Sequence, residues 1–373
     1  MKRAVCIGGS LALLIAVAFA RPASVTIAAQ GKAAAPSVQV DPLWPKPFPQ
    51  KKAWILGSVT GVTVDAQDHI WVVHRGVDSL QTNEKGPALE PWASSCCFAA
   101  PQILEFDAAG TLLASWDPKT GSGYDWPHDP AGIAVDKAGN VYVGSGLWPT
   151  SLAPARGRGP APAAGAAPAR GAAPAAPAQV PGTAVLKFDK TGKYVSSISG
   201  LDRPYGVAVD DAANEVYVAD DGHGRIAVFD ANSGAQKREF KGNGDAFKTI
   251  SCVKLSKDGM VYVCDRQNNR IQVFKKDGTF VKEGYVAKDT KGDGSVWDVA
   301  FSPDQKVLFV ADGHNKTIWM LDRASLEQIG RFGDGGRYPG LFYGVGSVAV
   351  DSKGNVYTGE TYDGKRVQKF VKK

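Results

Sequence analysis

The chain of 373 residues is 44% hydrophobic and 21% charged, an ordinary globular composition that argues against a wholly disordered protein. Its net charge of +6 owes much to Lys2 and Arg3 near the start and to Arg156, Arg158 and Arg170 in one Ala/Pro-rich stretch. What remains is close to neutral, so no nucleic-acid partner is expected.

Residues 1–20, "MKRAVCIGGSLALLIAVAFA", place two basic residues before an apolar run that ends in Ala18-Phe19-Ala20. That is the pattern of a secretory signal peptide cleaved before Arg21. The expected location is therefore outside the cytoplasm, periplasmic or secreted. No later stretch reaches the ~20 apolar residues of a membrane helix, so no span is expected after cleavage. Loss of Cys6 leaves four cysteines, Cys96, Cys97, Cys252 and Cys264, an even count that favours disulfides in an oxidising compartment.

From residue 55 onward one pattern recurs six times: "GVTVDAQDHIWVV" from 61, "GIAVDKAGNVYVG" from 132, "GVAVDDAANEVYVAD" from 206, "CVKLSKDGMVYVCD" from 252, "DVAFSPDQKVLFVAD" from 298 and "SVAVDSKGNVYTGE" from 347. The last four starts lie 46, 46 and 49 residues apart. Each unit reads as a strand, an Asp/Asn/Gly-rich turn and a second strand, followed by a third such as "RIQVFK" and a fourth such as "TFVKEGY". Four antiparallel strands at this period predict an all-β, six-bladed β-propeller over residues 55–373.

The sixth unit stops after its third strand, which would leave an open sheet edge. Residues 21–54 are therefore read as a lead-in whose segment within 36–56 supplies the missing strand and closes the ring. Two insertions break the period. Residues 146–183, rich in Ala, Pro and Gly, lack the residues of a packed core and are expected to be disordered within the second blade. Residues 77–101 carry Trp92, Phe98 and Cys96-Cys97 and read as an ordered loop on the propeller face.

In a propeller the first strands line a central channel, and loops at one end gather functional groups. The positions at which second strands end or first strands begin give His74, Arg75, His128, Tyr205, Asp220, Asp221, His223, Asp265, Arg266, Trp297, Asp298, Asp312, His314, Glu360 and Tyr362. His74, Tyr205, Trp297, Asp220, Asp265, Cys96 and Cys97 are the candidate ligand-binding residues. The bland alternative is that strands end in polar residues because they meet water. Cys96 and Cys97 either bond to each other, forming a stiff wall for a ligand beside Trp92 and Phe98, or bond elsewhere or simply pack. Cys252 and Cys264 fall opposite each other across a hairpin and form either a cross-strand disulfide or a packed thiol pair.

The D-x-x-G-N-x-Y-V-A-D core and the "RIQVF" third strand resemble NHL repeats. "LGSVTGVTVDAQDHIWVVHRG" (residues 56–76) resembles the first blade of the peptidyl-α-hydroxyglycine α-amidating lyase family. The resemblance implies arginines that act on the substrate, matched by Arg75 in the H-R-G motif and Arg266 in "VYVCDRQNN". Two such arginines suit a carboxylate. It also implies a catalytic tyrosine, whose place falls near His223, and three zinc-binding histidines. At the histidine positions this chain has Ala131, Ser251 and Gly346, so family-type zinc is not expected. A replacement metal set would draw on His128, His223 and His314, with Asp220 or Asp312 assisting. His69 is expected to face away from the channel, and a structural calcium ion is the other cofactor considered.

Two functional classes follow. One is a binding propeller that takes a small-molecule or peptide anion at the Arg75/Arg266 rim, or a protein partner on its face. The other is a lyase or hydrolase related to the amidating lyase, with a rebuilt or metal-free site in which Arg75, Arg266 and His223 carry the chemistry.

Overall fold

The computed structural model describes residues 1, 33–49, 53–118, 124, 126–127, 129–146 and 184–373. All of the expected signal peptide except Met1, all of the Ala/Pro/Gly-rich insert except Gly146, and His128 lie outside the described residues.

Six four-stranded antiparallel sheets are arranged as blades. Blade 3 is the plain case: Pro204–Asp210, Glu215–Asp220, Arg225–Asp230 and Gln236–Phe240, in sequence order from the inside outwards. Blade 4 repeats it with Ile250–Leu255, Met260–Asp265, Arg270–Lys275 and Phe280–Tyr285. The innermost strands touch one another in sequence, and Val345–Val350 of blade 6 returns to Val59–Val64 of blade 1. Among the described residues no helix is long and apolar enough to cross a membrane.

The ring is closed as the truncated sixth repeat requires. Val38–Asp41 pairs antiparallel with Val367–Lys372 and becomes the outer strand of blade 6. The chain then crosses to blade 1 through "DPLWPKPFP", where buried Trp44 packs between Tyr357 of blade 6 and Phe106 of blade 1, at centroid distances of 5.0 and 5.8 Å. A segment from before the first repeat thus joins the first and last blades.

The recurring D-x-x-G-N-x-Y is a structural device at the turn end of the first hairpin. Asp351 accepts hydrogen bonds from the Asn355 backbone (2.8 Å) and side chain (2.7 Å) and from the Tyr357 hydroxyl (3.0 Å). Asp136, Asn140 and Tyr142 repeat the arrangement in blade 2. In blade 1 the same places hold Asp65, His69 and Trp71, and Asp65 accepts from the His69 backbone and from Trp71 Nε1, both at 2.9 Å. In these three blades the tyrosine or tryptophan buried between blades needs a partner for its polar tip, and the turn carboxylate provides it.

Truncating Trp44 removes a large buried side chain at the closure. Trp44→Ala should cost about 3–5 kcal/mol, read as a lower urea midpoint with an unchanged slope. A loss below about 1 kcal/mol would show that the closing segment carries no such role.

Candidate functional site: the mouth of the central channel

In four blades the last residue of the second strand holds the blade together. Asp220 accepts from the Asp202 backbone N–H (2.7 Å), Asp265 from that of Lys248 (2.7 Å) and Glu360 from that of Tyr343 (2.6 Å). The other carboxylate oxygen takes the guanidinium that opens the third strand: Arg225 on Asp220 and Arg270 on Asp265, both at 2.7 Å, and Arg366 on Glu360. His74 occupies the same place in blade 1. Its Nδ1 accepts from the backbone of Gly57 (3.1 Å) and Gly76 (3.0 Å), so Nε2 carries the proton and donates to the Pro101 carbonyl (2.9 Å). Fully buried, it has its pKa lowered to about 4 by that burial.

His74, Asp220 and Asp265, expected as ligand contacts, are thus committed to backbone and to neighbouring side chains. His223 is exposed and donates to Asp220 (2.8 Å). His314 is also exposed, two blades away. The structure does not bring His223 and His314 into one metal-ligating cluster. Among the described residues the one set of three such groups within mutual reach is Asp65, His69 and Glu105. It lies at the turn end of blade 1, as the variant of the Asp–Asn–Tyr device described above.

In five blades the residue after the second strand stands at the channel mouth. The backbone N–H groups of Arg75, Gly146, Asp221, Arg266 and Thr361 bond to the carbonyls of Ser58, Asp129, Arg203, Thr249 and Gly344. This repeated pairing aims position after position at the channel. Arg75 from blade 1 donates through Nε to Asp129. Burial alone would lower its pKa, but Asp129, Tyr205 and Tyr362 raise it overall. Arg266 from blade 4 lies flat on the Trp297 ring, 3.5 Å from its centroid, a cation–π contact in a desolvated place. Its Nε donates to the Asp293 carbonyl (2.7 Å) and its Nη2 lies 3.3 Å from the Asp293 carboxylate.

Tyr205 shares the mouth with the two guanidiniums and feels the charge of both. Burial raises its pKa, opposed by the positive charges of Arg75 and Arg266. Its ring has room because blade 2 offers Gly146: a Cβ there would come within 2.9 Å of the tyrosine ring. Tyr362 packs edge-on to Trp297 and donates to the Asp293 carboxylate (2.9 Å), and burial raises its pKa too. Both phenols stay protonated at neutral pH and act as hydrogen-bond donors.

The channel and its mouth share a free volume of about 40 Å³, lined by Ser251, Lys254, Asp298 and Gly346 and by Tyr205, Arg266 and Trp297 at the rim, room for a few waters. Ser251 Oγ donates to the Val296 carbonyl (3.0 Å), and Lys254 pairs with Asp298 (3.3 Å).

Cys96 and Cys97 bond to each other, and Cys252 bonds to its cross-strand partner Cys264. The first pair sits in the 77–101 loop, with Trp92 and Phe98 63% and 53% exposed, and does not line the channel. That loop is tied to blade 6 beside Tyr362, by Gln81 on Asp363 (3.0 Å) and Lys365 on Glu84. The aspartates that hold the arginines escaped the sequence analysis. Asp129 sits in "PHDP" and Asp293 in the turn "KGDGS", where an acidic residue reads as turn chemistry.

Residues 207–314 match a family of unknown function (DUF5711). No curated protein matches the sequence. Among solved structures the chain is similar to a streptogramin B lyase, at 10% identity and TM-score 0.50, covering 85% of this chain and 94% of that one. It is also similar to virginiamycin B lyase from Staphylococcus aureus, at 11% identity and TM-score 0.47, covering 84% and 86%. At such identities the first likeness shows the propeller fold alone.

His74 links the blade to pH. Unfolded, it takes up a proton near 6.5; folded, only near 4. Between those values the unfolded state binds more protons, so stability falls as pH drops through that window. Wild type should lose up to about 3 kcal/mol more between pH 6.5 and 4 than His74→Gln, measured by urea unfolding. Parallel pH profiles for the two proteins would disprove it.

Proposed function

We propose that the protein is a binding propeller that takes a small or peptidic ligand bearing a carboxylate at the channel mouth, on Arg75 and Arg266. The observation that carries this reading is a pair of guanidiniums at the mouth, Arg75 held by Asp129 and Arg266 held by Asp293 over the Trp297 ring. Each arginine is held by an aspartate, which fixes its orientation before any ligand arrives. Preorganised, partly desolvated donors suit a carboxylate better than flexible surface lysines do. The protonated phenol of Tyr205 lies beside these guanidiniums as a further donor. The two disulfides support the reading of an exported protein.

The lyase or hydrolase reading needs a metal or a free base at the same place. Ala131, Ser251 and Gly346 replace the histidines of the amidating lyases, and the mouth carboxylates Asp129 and Asp293 are engaged by Arg75 and Arg266. The geometry therefore favours binding.

Calorimetry with hippurate (N-benzoylglycine) tests this. Wild type should bind it, hippuramide should bind at least tenfold more weakly, and Arg75→Met and Arg266→Met should each weaken hippurate about 10–100-fold, as loss of a charge-assisted hydrogen bond predicts. Equal binding of acid and amide, or none by any form of the protein, would refute the carboxylate reading.

A further inference from the structure

Asp293 does more than hold Arg266 in place. Its carboxylate oxygen Oδ2 receives the Tyr362 hydroxyl at 2.9 Å and faces Arg266 Nη2 at 3.3 Å. These donors come from blades 6 and 4 and meet over the channel. A carboxylate flanked by an arginine and a phenol is the arrangement a bound ligand carboxylate would take. Resting on the binding function proposed above, we propose that Asp293 is an internal stand-in for the ligand's carboxylate: the ligand displaces it from Arg266 and Tyr362, and the tip of its loop swings off the mouth.

The loop between blades 4 and 5, residues 286–297, is built for such an exchange. Its base is fixed by buried Asn269. The Asn269 side-chain amide donates to the carbonyls of Lys288 (2.9 Å) and Thr290 (2.8 Å), and its oxygen accepts from the Ser295 backbone (2.9 Å). The tip at 291–294 is held differently, by Arg266 on the carbonyl and carboxylate of Asp293 and by Trp297 Nε1 on the Gly294 carbonyl (2.7 Å). Gly292 and Gly294 flank Asp293 at φ of +66° and +74°. A Cβ on Gly294 would lie 1.9 Å from the Arg266 carbonyl oxygen, so only glycine allows the tip this close to the arginine. The Asp293 side chain remains one-third exposed, which leaves it a route into solvent when displaced. An intramolecular competitor lowers the apparent affinity of any ligand that needs its place. The ligand must then offer a carboxylate that fits between the arginine and the tyrosine and matches the contacts it replaces.

The test uses the full-length protein, with hippurate as probe. Asp293→Asn and Asp293→Ala remove the competing charge and should bind hippurate about tenfold more tightly than wild type. Hydrogen exchange at 291–294 should be faster in both variants without ligand, and should rise in wild type on saturation, while 286–290 stays protected. Thermal melts of both variants confirm folding. Unchanged or weaker binding by both variants, alongside wild-type binding that Arg266→Met abolishes, would overturn the stand-in and leave the binding function intact. Silence from wild type and variants alike would overturn both. Binding by the variants alone would support the stand-in in its strongest form.

Discussion

In four blades a hydrogen bond from the end of the second strand back to the chain entering the same blade is the constraint on which the mouth depends. His74, Asp220, Asp265 and Glu360 each reach a backbone N–H 17 or 18 residues upstream. Buried and charge-assisted in three of these four blades, the bond sets where the second strand stops and how the next residue leaves the sheet. Because that next residue is Arg75, Asp221, Arg266 or Thr361, the same bond aims functional positions into the channel. In blade 1 a neutral histidine accepts where a carboxylate accepts in blades 3, 4 and 6, which places a titrating group in a repeated structural role.

The mouth combines charges that largely cancel. Arg75 is set against Asp129, Arg266 against Asp293, Arg203 against Asp221 and Lys254 against Asp298. Such pairing stabilises orientation more than it stabilises the fold, because desolvation offsets much of the attraction. Exchanging one internal carboxylate for that of a ligand conserves the charge balance of the site. An exchange of this kind needs a partner that can reach solvent, and the Asp293 side chain is one-third exposed while Asp129 is buried beside the first strand of blade 2.

The fold was largely legible in the sequence. The period, the turn residues and the truncated sixth repeat predicted six blades and a borrowed strand, which Val38–Asp41 supplies. The site was legible in part. Arg75, Arg266, Tyr205 and Trp297 were placed at the mouth by counting positions in the repeat, and they meet there. His74, Asp220 and Asp265, named beside Arg75, Asp221 and Arg266, turn to the blade's own backbone: a polar strand end can face the ligand or that backbone, and alternation along the strand does not distinguish the two. Asp129 and Asp293 were missed because each lies in a loop between blades, whose path no repeat pattern encodes.

What the sequence determined by itself is the repeating unit, since hairpins, turn carboxylates and interior tyrosines are local or nearly local matters of spacing. The tertiary structure alone decided which charges meet. Tyr362 and Asp293 are 69 residues apart, and Arg75 and Asp129 are 54 apart. Closing the ring brings such pairs together, and burial then makes their partnerships strong enough to shape a site.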